Sequence, residues 1–146
     1  MTSPLILKLH LFAVAFWWGV VAVEFLLEQS RATSRQQGFA VARLHRQIDL
    51  CFEMPAFMTV LVTGLLLFQS SQFHGLYAIK VVAGLLAIGG NMLCLIPVLR
   101  RQTLASADNL GGVIQQSVAI DKISLAAIPA GLVALICGII LMSQRV

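Results

Sequence analysis

Charge is scarce in this sequence: only 11% of its 146 residues are Asp, Glu, Lys or Arg, six acids against ten bases. An ordinary soluble domain carries about 25%, so the chain lacks the residues to build a wettable surface. It also lacks any long run of one sign. The net charge of +4 comes from bases scattered near the ends of apolar stretches, which excludes a nucleic-acid partner. Cysteine is sparse and odd in number, at Cys51, Cys94 and Cys137, with no CxxC pair. That excludes a disulfide framework, and the three are read as buried free thiols. No 20–50-residue repeat and no low-complexity tract is present. No small-residue cleavage pattern follows the first apolar run, which is read as a retained helix and not as a signal peptide.

What the chain does have is apolar length. It is 59% hydrophobic, with a mean hydropathy of +0.92. Four spans stand out: Leu5–Leu27, Ile48–Phe68, Leu76–Leu99 and Ile123–Met142. Each reaches the roughly 20 residues that cross a hydrocarbon core of about 30 Å. Ser3-Pro4 suits a helix start. The stretch from Phe39 alternates like an amphipathic helix leading into the second span, Gln115–Asp121 is assigned to the fourth helix, and Gly111-Gly112 reads as a break. The expected fold is all-α, an integral membrane antiparallel four-helix bundle forming a single domain over 1–146. Its expected partners are the lipid bilayer and a second copy or a larger membrane complex.

Seven of the ten Lys and Arg residues flank two connections: Arg31, Arg35, Arg43, Arg46, Arg100, Arg101 and Lys122. Lys8, Lys80 and Arg145 fall on the other side. The positive-inside rule therefore places connections 28–47 and 100–122 in the cytoplasm and both termini outside, with a bacterial inner membrane as the expected location.

The few ionisable residues inside the spans are not scattered around the helices. At about 100° per residue, His10, Trp17, Glu24 and Glu28 share one face of the first helix. His45, Asp49 and Glu53 share a face of the second, and Lys80 and Asn91 one of the third, with Gly84, Ala87 and Cys94 alongside. Such faces turn away from lipid. By depth they form two layers. His10 and Lys80 lie at the outer end. Glu24, Glu28, His45, Asp49, Glu53 and Asp121 lie at the cytoplasmic end, so His10 and His45 cannot ligate one haem.

Two readings of the acidic layer stand. One is a salt-bridge network with Arg43, Arg46, Arg100, Arg101 and Lys122. The other is a site for a transition-metal ion or a proton. For His10 the readings are an axial haem ligand, a proton relay with Lys80, or a hydrogen bond across helices. Trp17 and Trp18 can wall a flat cofactor or simply pack. Met54, Met58 and Met92 read as core filler, and His74 as a solvated loop residue.

Lys8, His10, Trp17 or Trp18 and Gly19 stand close to a K-x-x-H-x-x-x-x-x-x-W-x-x-G pattern, with the lysine one position nearer. Arg43 and Arg46 precede Met54-Pro55-Ala56-Phe57, with Gly64 following, and Lys80 follows Tyr77. Over roughly residues 5–95 this layout resembles the HemJ-type membrane protoporphyrinogen oxidases and, more loosely, the CopD-like four-helix membrane proteins. The resemblance implies haem b or a porphyrin held by His10, with Trp17 beside it and Lys80 as functional partner. It implies membrane redox chemistry, with Lys80 as the catalytic residue of an oxidoreductase acting on a porphyrin or a quinone-linked carrier. The chain departs from the family after its first helix, where Glu24-Phe25 and Glu28-Gln29 replace a Pro-Arg and a Tyr-His. It departs again at Met54, which replaces an Asn, and at Asp121-Lys122, which stands where Asn-Glu-Pro is expected. Those departures imply a related bundle with another task. Metal-ion or proton-coupled transport through the acidic layer and a structural role in a larger complex are the alternatives.

Overall fold

The computed structural model describes residues 4–144. Ser3, Arg145 and Val146 lie outside the described residues. The described chain is helical throughout its long elements: α1 (Pro4–Gln29), α2 (Arg35–Ile48), a π-helical turn (Asp49–Glu53), α3 (Met54–Leu67), α4 (Gly75–Ser106) and α5 (Leu110–Ser143), with a short 3-10 turn at Ser70–Gln72. α2, the π turn and α3 run on as one rod. Four helices are therefore long and apolar enough to cross a membrane: Pro4–Gln29, Arg35–Leu67, Gly75–Ser106 and Leu110–Ser143. The chain is an integral membrane protein built as a four-helix bundle. Large apolar side chains such as Leu5, Leu26 and Leu125 point outward, as lipid requires and water would penalise.

The helices overrun the spans marked by hydropathy. A rod of 33 residues is about 50 Å long, well beyond the hydrocarbon thickness, so polar turns continue each helix past the bilayer. α2 is the clearest case. Ser34 caps it by accepting from the Gln37 N–H at 3.1 Å, and Gly38, Val41, Ala42 and His45 form its buried stripe. Gly111-Gly112 does not break the chain. Asn109 caps α5 by accepting from the Gly112 N–H at 2.9 Å, so both glycines fall in the first helical turn, where no side chain is needed to hold the backbone.

The π turn has a local cause. Pro55 has no N–H to give to the preceding turn, and its ring crowds the carbonyl four residues back. The backbone widens just before it, and the Met54 N–H reaches Asp49 O, five residues away.

α4 and α5 make the most extensive pairing, α1 packs on α3, and α2 packs on α4. The α4–α5 crossing is tight because of Gly90: a Cβ there would stand 2.6 Å from the Ala127 Cβ. Ala13, Trp17, Ala56, Phe57, Val60, Ala87 and Ile88 form the central apolar cluster, with the Trp17 and Phe57 rings 6.2 Å apart and tilted. Of the expected core methionines, Met54 packs against this cluster, but Met58 and Met92 point outward. In a bilayer that position suits an apolar side chain as well as the core does. Among the expected buried thiols Cys137 is buried, Cys94 half-buried and Cys51 exposed.

Candidate functional site

The seven-residue spacing on α1 puts His10, Trp17 and Glu24 on its buried face. Each meets a polar partner on the rod opposite. His10 Nδ1 lies 2.9 Å from Thr63 Oγ1. The Trp17 Nε1–H donates to Glu53 Oε1 at 3.1 Å. Glu24 comes together with Asp49 and His45, one ligand-type atom from each lying within 4.8 Å of the others. One turn further on, His45 Nδ1 donates to Glu28 Oε1. The result is a ladder of polar rungs along the α1 seam, dense at the end that carries the α1–α2 and α4–α5 connections.

Glu28 is fully engaged at that end. Oε1 takes the Arg101 Nη2–H at 2.6 Å and the His45 Nδ1–H. Oε2 takes Arg101 Nη1–H at 2.9 Å and Arg31 Nη1–H at 2.7 Å. Arg101 is 1% exposed and also donates to Ser117 Oγ at 3.2 Å. Its Nη2 lies 2.7 Å from His45 Nδ1. A nitrogen that donates to Glu28 cannot also accept from Arg101, so Glu28 is the acceptor both donors share. His45 thus turns its other nitrogen, Nε2, toward Asp49 Oδ1 at 3.2 Å.

That approach is close without being aligned. Asp49 Oδ1 has no hydrogen bond, and neither does Glu24 Oε1, although Asp49 is 4% and Glu24 8% exposed. Two buried carboxylates therefore meet an imidazole, and each has one oxygen without an aligned donor. Buried oxygens without donors are rare in folded proteins. The π turn bears directly on this, since Asp49 opens it and Glu53 closes it. Turns of this kind occur disproportionately at functional sites.

Five of the six expected members of the acidic layer separate into three groups. Glu24, His45 and Asp49 make the open cluster. Glu28 is bound up by Arg101, Arg31 and His45. Glu53 sits one rung deeper, accepting from Trp17 and from the Asn91 Nδ2–H at 2.5 Å. Asp121 belongs to none of these. It receives both Arg31 nitrogens, at 2.9 and 2.5 Å, with its side chain 51% exposed. These two carboxylates, Asp121 first and then Glu28, hold the Arg31 guanidinium above its usual range. The ion pairs at this end use Arg101, Arg31 and, at the surface, Arg35, which pairs with Asp108 at 2.7 Å. Arg43, Arg46, Arg100 and Lys122 make none among the described residues, and Arg43 and Arg100 are exposed on the outer faces of their helices.

At the far end, Thr63 Oγ1 gives its hydrogen to backbone carbonyls, Thr59 O at 2.6 Å and Val60 O at 3.2 Å. His10 Nδ1 must then carry the proton and donate to it, leaving Nε2 as the lone pair. The ring lies against α3, its Cε1 3.5 Å from where a Cβ on Gly64 would stand. Lys80 is the charge that acts on His10, and its stem runs over Gly138 of α5.

A haem on His10 needs room for a macrocycle beside Nε2. Of the cavities described, one of about 20 Å³, roughly one water, is lined by Trp17, Trp18, Asn91 and Gly131, not by His10. A larger groove of about 520 Å³ lies between α2 and the end of α4, lined by Ser34, Gln36, Phe39, Arg43 and Ser106. Trp17, expected beside a haem, hydrogen-bonds Glu53 and packs on Phe57. No family model, curated protein or solved structure matches this chain.

Proposed function

We propose that this membrane protein binds a divalent transition-metal ion through Glu24, His45 and Asp49. The observation that carries the proposal is the buried convergence of Glu24, His45 and Asp49, one ligand atom of each within 4.8 Å of the others, together with an oxygen on each carboxylate, Asp49 Oδ1 and Glu24 Oε1, that makes no aligned hydrogen bond. Charge supports it. Among the described residues the four acids Glu24, Glu28, Asp49 and Glu53 meet two arginines, Arg101 and Arg31, both spent on Glu28, and His45, and excess negative charge in a low-dielectric place calls for a cation. The surroundings support it too. Metal-ligating histidines almost always give their other N–H to a carboxylate, which fixes the tautomer and aims the ligating nitrogen. Glu28 holds His45 Nδ1 in that way, and Arg101 holds Glu28. One imidazole and two carboxylates suit Zn²⁺, Fe²⁺, Co²⁺ or Mn²⁺.

The test is elemental analysis of the detergent-purified protein, followed by titration of the stripped protein with Zn²⁺, Co²⁺ and Mn²⁺. The wild type should hold about one ion per chain, and Asp49→Asn and Glu24→Gln should lose it. A wild type that binds none of the three ions overturns the proposal. The resemblance to the HemJ-type group rests on sequence motifs around His10, and the haem it implies is addressed by the His10 variant below.

A further inference from the structure

Three ligands leave a tetrahedral ion one position short, and α4 runs past the open side of the cluster. Two of its side chains touch the ladder. Asn91 bonds Glu53, and Arg101, ten residues on, bonds Glu28. Cys94 lies between them on the same side of the helix, three residues from Asn91 and seven from Arg101. α4 runs antiparallel to the rod of α2 and α3, so the register can be followed rung by rung. Asn91 marks the Glu53 rung and Arg101 the Glu28–His45 rung, which leaves Cys94 at the rung of Asp49 and Glu24. The carboxylates whose field reaches its sulfur are indeed Asp49, Glu53 and Glu24, and its hydrogen-bond neighbour is Ser124 of α5. Its sulfur is not among the three atoms that lie within 4.8 Å of one another, so ligation requires it to leave Ser124 for the cluster.

Resting on the metal-binding reading above, the geometry points to Cys94 as the fourth ligand, making the site selective for thiophilic dications such as Zn²⁺ and Co²⁺ over Mn²⁺ and Mg²⁺. A thiolate is a soft donor, and four-coordinate N/O/S sets are the chemistry of zinc. On ligation the sulfur forms the metal bond and its proton leaves to water; no oxidant is involved. The other two cysteines do not compete: Cys51 is exposed, and Cys137 lies on α5 beside Gly138, near Lys80 at the far end of the bundle.

The experiment is optical titration of the stripped, detergent-purified full chain with Co²⁺. Wild type should develop visible d–d bands together with a near-ultraviolet thiolate-to-cobalt charge-transfer band. Cys94→Ser should keep d–d bands, lose the charge-transfer band and bind Co²⁺ roughly tenfold or more weakly, at least the loss that removing a supporting partner causes. Ser124→Ala, which removes only the present neighbour of the thiol, should keep the charge-transfer band, as should Cys51→Ser and Cys137→Ser. Wild-type d–d bands without charge transfer would overturn the Cys94 assignment and leave the three-ligand reading standing. Charge transfer that survives in Cys94→Ser would overturn it equally. No cobalt spectrum at all in the wild type would overturn both.

Discussion

Arg101 grips Glu28 with both terminal nitrogens, at 2.6 and 2.9 Å, across 73 positions of sequence. This bidentate pair ties α4 to the end of α1 where the bundle is most polar. It also sets the direction of His45, because the same Glu28 oxygen receives both Arg101 Nη2 and His45 Nδ1.

Removing one partner of a buried pair strands the other. Arg101→Met should destabilise the protein by up to about 3–5 kcal/mol, and the double variant Arg101→Met/Glu28→Met should recover part of that loss. Thermal unfolding in detergent of the four proteins of this cycle measures it. Equal melting temperatures for wild type and Arg101→Met would show that the pair adds nothing to stability. Glu28→Gln should separate positioning from ligation: it should fold, retain the cluster, and bind metal roughly 10- to 100-fold more weakly.

The Arg31–Asp121 pair should behave differently. It shares the acidic end of the bundle but lies at the surface, where ion pairs contribute about 0–1 kcal/mol. Asp121→Asn should therefore move the melting temperature little and leave metal uptake unchanged. A loss of metal in this variant would return Asp121 to the ligand set.

His10 and Glu28 are 18 residues apart on one helix, about 27 Å along its axis. His10→Ala should leave metal binding at the other end intact. Thr63→Val should strand the His10 Nδ1–H and destabilise by about 1–3 kcal/mol. The His10→Ala variant also tests the haem implied by resemblance. A purified wild type with a Soret band that disappears in His10→Ala would assign a haem to His10.

What the sequence reveals and what it hides divide along physical lines. The α1 face is legible because a seven-residue spacing maps onto one stripe of any helix, and His10, Trp17 and Glu24 are indeed buried together. The spans are legible as lipid-crossing length, but not as helix length. Hydropathy marks the bilayer, whereas α2 and the first turns of α5 continue on capping by Ser34 and Asn109. The partner of the acids is legible as one of a set and not singly. Arg101 is among the five bases expected at this level, and tertiary packing selects it over Arg43 and Arg46, which are nearer the acids in sequence. The split of six candidate ligands into an open cluster, two held carboxylates and a surface acid follows from those tertiary contacts. The π turn leaves one local trace, Pro55. A proline predicts a disturbed turn, and the widening that follows depends on how the backbone relieves it.

The orientation rule yields a further expectation. Seven of the ten Lys and Arg residues flank the α1–α2 and α4–α5 connections, which should therefore face the cytoplasm. Cysteines introduced at Ser34 and Ala107 in a chain lacking its native cysteines should resist an impermeant thiol reagent applied from outside and react after permeabilisation. Labelling from outside at both positions would invert the assignment and place the metal cluster at the external face.

The last prediction concerns the π turn itself. Five residues, Asp49–Glu53, occupy a turn that an α-helix would close with one fewer. Cys51 and Phe52 are the outward-facing members of that turn, and deleting Cys51 removes the extra residue without removing a polar group of the cluster. The shortened rod can revert to continuous α-helix with α2 and α3 nearly in their present phase, because the widened turn spends five residues where an α-helix spends four. What changes is the turn itself: Asp49 and Glu53 become i, i+3 neighbours instead of i, i+4, which re-aims the two carboxylates relative to Glu24, Trp17 and Asn91. The deletion variant should still insert with four spans, because the apolar length is almost unchanged, yet bind metal more weakly or show a lowered melting temperature. Phe52→Ala, which trims an outward side chain and leaves the backbone count intact, should change neither. Circular dichroism, melting in detergent and metal titration of the three proteins decide the matter: a Cys51 deletion that binds metal and melts like wild type would show that the widened turn plays no part in holding the cluster.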